Sequence, residues 1–225
     1  MTSDPQTNTA RKVLVVDDHE LMRMALVQLI EQEPDLTVCG QADSAPAALK
    51  AIDQFHPDVA IVDISLKGSH GIELIKDIRI RWPDFLVLVL TMHDESFYAE
   101  RALRAGAKGY VTKAELSSKV IDGIREVLDG AVYLSEAMTA KMLAKLVGKK
   151  GRTVSFPIDA LSDREFEVFE MIGQGIQSRE IAETLHLSVK TVDAHREHIK
   201  KKLGLASATD LLMYAVQWVQ FEREA

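Results

Sequence analysis

Residues 12–18 read KVLVVDD: an apolar, largely β-branched run that stops on two adjacent carboxylates, Asp17 and Asp18. A short continuous apolar run of this kind predicts a strand buried on both faces. Moving outward, Leu36–Cys39, Val59–Val62, Phe85–Leu90 and Lys108–Thr112 have the same character. The stretches between them, Glu20–Glu33, Ala45–Phe55, Gly71–Trp82, Glu95–Ala105 and Leu116–Leu128, carry helical periodicity. In the second, Ala45, Ala48, Leu49, Ile52 and Phe55 share one stripe. Five strand–helix units in strict alternation predict an α/β fold: a doubly wound, five-stranded parallel sheet with helices on both faces.

In an open parallel sheet, chemistry collects beyond the carboxyl ends of the strands. Asp17 and Asp18 end the first expected strand, Asp63 the third and Thr91 the fourth, and Lys113 follows the fifth. All five should converge on one edge. Crowded carboxylates raise one another's pKa unless a cation neutralises them, and Mg2+ favours carboxylate oxygens with several waters retained. Asp63 can then act as a nucleophile that forms an acyl phosphate, with Lys113 and the Thr91 hydroxyl holding the phosphoryl oxygens. Two enzyme readings fit less well. A flavin phosphate wants a Ser/Thr/Gly-rich loop after the first strand, where this chain has Asp17-Asp18-His19-Glu20. A phosphatase of the haloacid dehalogenase kind wants an Asp-x-Asp pair there, whereas these acids are adjacent.

The segments VVDDHE, VDISLKGSHGIELI, LTMHDE and KGYVTK, in this order and spacing, resemble the receiver domain of two-component response regulators over roughly residues 11–130. The resemblance implies a flavodoxin-like fold in which Asp63 accepts phosphate from a sensor histidine kinase. It also implies that Asp18 and Asp63 ligate Mg2+ directly, Asp17 through water and Ser65 through its backbone carbonyl. Thr91 and Tyr110 are similar to the switch pair of that family, the hydroxyl moving toward phosphate as the aromatic ring turns inward. Lys67 departs from the pattern: many receivers have proline before the glycine. It replaces no ligand.

Residues 158–225 show no strand pattern. Ser162-Asp163-Arg164-Glu165 is a capping box opening a helix that ends near Gly173–Gly175. Ser178 is expected to cap a short helix, Arg179–Leu185. After a tight turn at His186-Leu187, Ser188 caps Val189–Leu203, which stops at Gly204. Ser207–Asp210 caps a last helix running to about Phe221. Two helices joined by so short a turn predict a helix-turn-helix within a small all-α, four-helix domain. In Val189–Leu203, Val192, Ile199 and Leu203 form the apolar stripe, and Lys190, Asp193, Ala194, Glu197 and Lys201 point away from it. From Lys190 to Lys202, five basic residues stand against Asp193 and Glu197. Such a face suits the major groove, with phosphate contacts supplying most of the affinity. The stretch LSDREFEVFEMIGQGIQSREIAETLHLSVKTVDAHREHIKKKLGL resembles the LuxR-type helix-turn-helix of the NarL/FixJ response regulators. It implies DNA contacts from Ser188, Lys190, Thr191, Asp193, Ala194, Arg196, Glu197, Lys200 and Lys201. Asp193 and Glu197 stand where some relatives carry lysines, so the operator sequence is not carried over.

The 225 residues carry a net charge of −7, which argues against nucleic-acid binding by bulk charge and confines any DNA contact to a local basic patch. A single cysteine, Cys39, excludes an intrachain disulfide and a cysteine-based zinc site. No uncharged run approaches the roughly 20 apolar residues of a membrane span. The expected organisation is a disordered tail at 1–10, a receiver at 11–130, a linker at 131–157 containing a helix at 135–147, and the helix-turn-helix domain at 158–225. The expected product is a cytoplasmic transcription regulator, partnered by a sensor histidine kinase and by double-stranded promoter DNA, with no membrane partner. Phosphorylation of Asp63 should shift it toward a homodimer with its recognition helix exposed. Beyond its own phosphorylation and dephosphorylation it should catalyse nothing. The alternative is a receiver that signals mainly by docking to other proteins and binds DNA weakly.

Overall fold

The computed structural model describes residues 10–67, 69–93, 95–115, 119–147 and 157–224. The expected tail up to residue 9, residues 116–118 of the fifth helix and residues 148–156 of the linker lie outside them. The chain forms two compact units, residues 1–135 and 136–225.

The first unit alternates β1 (Arg11–Val16), α1 (Glu20–Ile30), β2 (Leu36–Ala42), α2 (Ala45–Phe55), β3 (Val59–Val62), α3 (Gly71–Arg81), β4 (Leu86–Thr91), α4 (Glu95–Ala105), β5 (Gly109–Thr112) and α5 (Lys119–Leu128). The five strands are parallel in the order β2-β1-β3-β4-β5, the doubly wound sheet expected. Val13, Val15, Val59, Ile61, Leu88 and Leu90 pack in one buried cluster with Leu26 and Ile30 of α1 and Ile121, Ile124 and Val127 of α5. Their neighbours Leu14, Ala60, Val62, Val87 and Val89 are buried too, which is why these strands are apolar throughout. Each fully buried aliphatic side chain contributes about 1.5–3 kcal/mol. Register sets the site: Val16 lies beside Val62 and Val62 beside Val89, so Asp17 and Asp63 emerge level at one edge.

Three details differ from the sequence expectation. Strand β2 runs on to Ala42, past Gly40 and Gln41, which interrupt its apolar pattern, and its pairing with β1 slips one residue between Val13 and Leu14. A ribbon of two residues per strand, Ser65–Leu66 against Ser69–His70, follows β3. The first unit also continues past residue 130. Tyr133 bridges to Gly109 and exchanges backbone hydrogen bonds with Lys108 and Tyr110 at 3.0 and 2.9 Å, so the start of the expected linker adds to the sheet edge.

The second unit comprises α6 (Glu136–Val147), α7 (Asp163–Gly173), α8 (Ser178–Thr184), α9 (Val189–Leu203) and α10 (Ala208–Glu224). The Ser162/Glu165 capping box is formed in both directions. Ser188 Oγ accepts from Thr191 N, and Gly204 closes α9 in the left-handed region. Ser207 and Asp210 exchange side-chain-to-backbone hydrogen bonds at 2.9 and 3.0 Å. Ser178 does not cap α8: Gln177 takes that position without a side-chain bond, and Ser178 is the first helical residue, its hydroxyl accepting from Arg196 at 3.4 Å. Phe166, Phe169, Ile181, Val192, Ile199, Leu211 and Ala215 are buried, and Trp218 meets the Phe166 and Phe169 rings at 5.2 and 5.7 Å.

Candidate functional site

Asp17, Asp63, Thr91 and Lys113, all fully or nearly fully buried, meet at the carboxyl ends of β1, β3, β4 and β5. Lys113 Nζ sits 2.5 Å from Asp63 Oδ2 and 2.6 Å from Asp17 Oδ2. Asp18 completes the set with His19, whose Nδ1 lies 2.8 Å from Asp18 Oδ1. One ligand atom from each of Asp17, Asp18, His19 and Asp63 falls within 4.8 Å of all the others. The main chain is pinned alongside. His19 N donates to Asp17 Oδ1 at 2.8 Å, Arg23 to Asp17 O at 2.6 Å, and Ser65 N to Asp63 Oδ1 at 3.3 Å.

Burial pushes the Asp63 carboxyl above its ordinary value, and Asp17 adds to this. The Lys113 ammonium and, to a lesser degree, the Thr91 hydroxyl pull it back toward ionisation. Burial alone would push Lys113 down, but Asp63 and Asp17 hold it above its usual range. Lys113 balances one of the three carboxylates. Hard oxygen donors this close, with negative charge to spare, fit a divalent cation such as Mg2+. Thr91 Oγ1 is buried beside the Asp63 carboxyl, where its hydroxyl can turn to an incoming oxygen.

Tyr110 has its ring buried and donates its hydroxyl to the carbonyl of His93 at 3.1 Å. The His93 ring lies 2.9 Å from Ser65 Oγ and stacks, tilted, on Tyr98 with centroids 4.4 Å apart. The turn after β4 therefore touches both the segment after Asp63 and Tyr110.

In the second unit, Val192 and Ile199 seat α9 while Ser188, Lys190, Thr191, Asp193, Ala194, Glu197 and Lys201 are exposed. Arg196 is half-buried against Ser178, and Lys200 pairs with Glu197 at 2.8 Å. Lys202, itself exposed, pairs with Glu165 at 2.6 Å. Burial would raise Glu165, but hydrogen bonds from Lys202 and Ser162 hold its carboxyl below the usual range.

Residues 13–125 match the response regulator receiver domain, and residues 159–215 match the LuxR family of bacterial regulatory proteins. Oxygen regulatory protein NreC of Staphylococcus carnosus is 35% identical over 210 residues, spanning 92% of this chain and 97% of that protein. The chain belongs to the response regulators. A solved two-component response regulator of the LuxR family from Aurantimonas is 31% identical with a TM-score of 0.58, covering 62% of this chain and 99% of that one. RcsB of Salmonella enterica serovar Typhimurium, bound to the rprA promoter in the presence of the phosphomimetic BeF3-, is 25% identical with a TM-score of 0.59, covering 92% and 99%. This response regulator is thus a DNA-binding transcription regulator controlled through its receiver. Among the described residues no helix is long and apolar enough to cross a membrane.

The structure brings Asp17, Asp18, Asp63, Thr91 and Lys113 of this response regulator together, with Ser65 and Tyr110 alongside. His19 and His93 join the site beyond the residues that the sequence picks out. His19 had a signal in its position directly after the acid pair, whereas His93 owes its contacts to a turn that no local motif marks.

Proposed function

We propose that Asp63 is the phosphoacceptor through which a sensor histidine kinase controls this regulator in the cytoplasm. The carrying observation is the buried Asp17–Lys113–Asp63 arrangement beside the buried Thr91 hydroxyl. An Asp63 carboxylate oxygen attacks the donor phosphorus. The phosphorus–nitrogen bond of a phosphohistidine breaks as the acyl phosphate forms, and the imidazole leaves with the electron pair. Lys113 favours the ionised form of Asp63 against its burial and afterwards donates to a phosphoryl oxygen, as does Thr91. Asp17, Asp18, Asp63 and the Ser65 carbonyl would hold Mg2+, which supplies charge neutralisation between carboxylate and phosphoryl oxygens. The same residues, with water, would return the receiver to its resting state.

Tyr110 reports phosphorylation through the His93 carbonyl, and the phosphorylated chain dimerises and binds two half-sites on double-stranded promoter DNA about one helical turn apart. Ser188, Lys190, Thr191, Asp193, Ala194, Arg196, Glu197, Lys200 and Lys201 form the DNA-binding set. Within it, Lys190, Ala194 and Glu197 are the base readers, and Arg196 and Lys200, less exposed, lie at the margin. Receiver and DNA-binding functions divide near residue 135, with the chain up to about 157 joining them. Footprinting with light scattering, with and without a small phosphodonor and Mg2+, tests this. The expected result is a dimer with stronger protection of paired half-sites. Identical mass and identical affinity in both states would contradict it.

A further inference from the structure

The chain leaves the receiver along the edge of β5. Tyr133 N donates to the Lys108 carbonyl at 3.0 Å, and the Tyr133 carbonyl accepts from Tyr110 N at 2.9 Å. The Tyr133 side chain fills a notch that two glycines leave open. A Cβ on Gly109 of β5 would come within 3.0 Å of Tyr133 Cβ, and one on Gly123 of α5 within 3.1 Å of its ring. Two residues on, Ser135 N donates to the Glu95 carboxylate at 3.0 Å. The next residue, Glu136, opens α6 and the second unit.

These two attachments differ in kind. Tyr133 is held by a pair of backbone hydrogen bonds and by packing against the buried cluster of the receiver. The Ser135 bond depends on one side chain, that of Glu95, the first residue of α4. Glu95 lies two residues after His93, whose ring is 2.9 Å from Ser65 Oγ and whose carbonyl takes the Tyr110 hydroxyl. The turn that touches both the segment after Asp63 and Tyr110 therefore leads into the residue that holds Ser135. We propose that Glu95 and Ser135 form a latch at the exit of the receiver, closed in the resting chain and opened by phosphorylation, while Tyr133 stays anchored. Because the anchor fixes the chain two residues earlier, a shift of the turn parts carboxylate from amide instead of carrying both along. The latch rests on Asp63 being the phosphoacceptor.

Amide hydrogen exchange of the full chain, read by NMR with and without an excess of acetyl phosphate and Mg2+, tests the latch, with intact mass measured on the same samples. On phosphorylation the Ser135 amide should exchange about tenfold faster, while the Tyr133 and Tyr110 amides keep their protection. Glu95→Ala should show the fast Ser135 exchange in both states and still gain one phosphoryl group at the wild-type rate. Glu95→Gln, which keeps an acceptor, should restore the slow exchange of the resting chain. An unchanged Ser135 amide in a chain that has gained phosphate, or slow Ser135 exchange in resting Glu95→Ala, would overturn the latch and leave the phosphoacceptor reading intact. A wild-type chain that gains no phosphoryl group would overturn both.

Discussion

A methyl group on Gly71 would lie 2.1 Å from the carbonyl oxygen of Asp63 and 2.7 Å from Ile64 Cα. Helix α3 can begin against the backbone of the candidate phosphoacceptor only because this residue has no side chain. Gly71→Ala should lower stability by about 1–3 kcal/mol in denaturant titration and slow phosphorylation as Asp63 is displaced. The Asp63 charge itself acts in the opposite direction. Its folded pKa is raised, chiefly by burial, so its ionisation favours the unfolded chain. Relative to an uncharged side chain, wild type therefore loses stability as pH rises from the ordinary value of 3.8 through the raised one. Without Mg2+, Asp63→Asn should melt higher than wild type at neutral pH, with the gap closing in acid. A gap independent of pH would show that the Asp63 charge is not the cause.

On the scale of elements, α9 divides its cationic end between structure and DNA. Lys202 Nζ is spent on Glu165 at 2.6 Å and Lys200 on Glu197 at 2.8 Å, whereas Lys201 makes no ion pair among the described residues. Arg164 of α7 donates to the Leu185 carbonyl at 2.8 Å as α8 ends, so the first turn of α7 braces both helices of the helix-turn-helix. Lys201→Gln should flatten the dependence of log affinity on log salt by about one unit, while Lys202→Gln should leave that slope unchanged. An equal loss in both variants would remove the brace from the account. Glu197→Ala should relax preference at one base pair, worth about 1–3 kcal/mol, and binding-site selection checks it. An unchanged motif would mean that α9 presents a different face.

For the whole molecule, local regularity decides what the sequence shows. Val59–Val62 reads as a strand because both faces are buried, and five such runs separated by amphipathic helices leave few topologies. The strand-end placement of Asp17, Asp63, Thr91 and Lys113 follows from that topology alone. Less visible are features set by long-range pairing. Arg125 reaches Asp35, 90 residues earlier, at 2.6 and 2.9 Å, and Lys202 reaches Glu165 across 37, with no local pattern to announce either. Tyr133 completes a sheet edge from within an expected linker for the same reason, and the ribbon after β3 is too short to show a period. Ser178 misleads because a serine before a helix reads as a cap unless its neighbours' dihedrals are known. The central claim is that one carboxylate, Asp63, receives the signal, and intact-protein mass measurement after incubation with a small phosphodonor and Mg2+ tests it most directly. Wild type should gain a single phosphoryl group and Asp63→Asn none; labelling of the variant to the same extent as wild type would contradict the account.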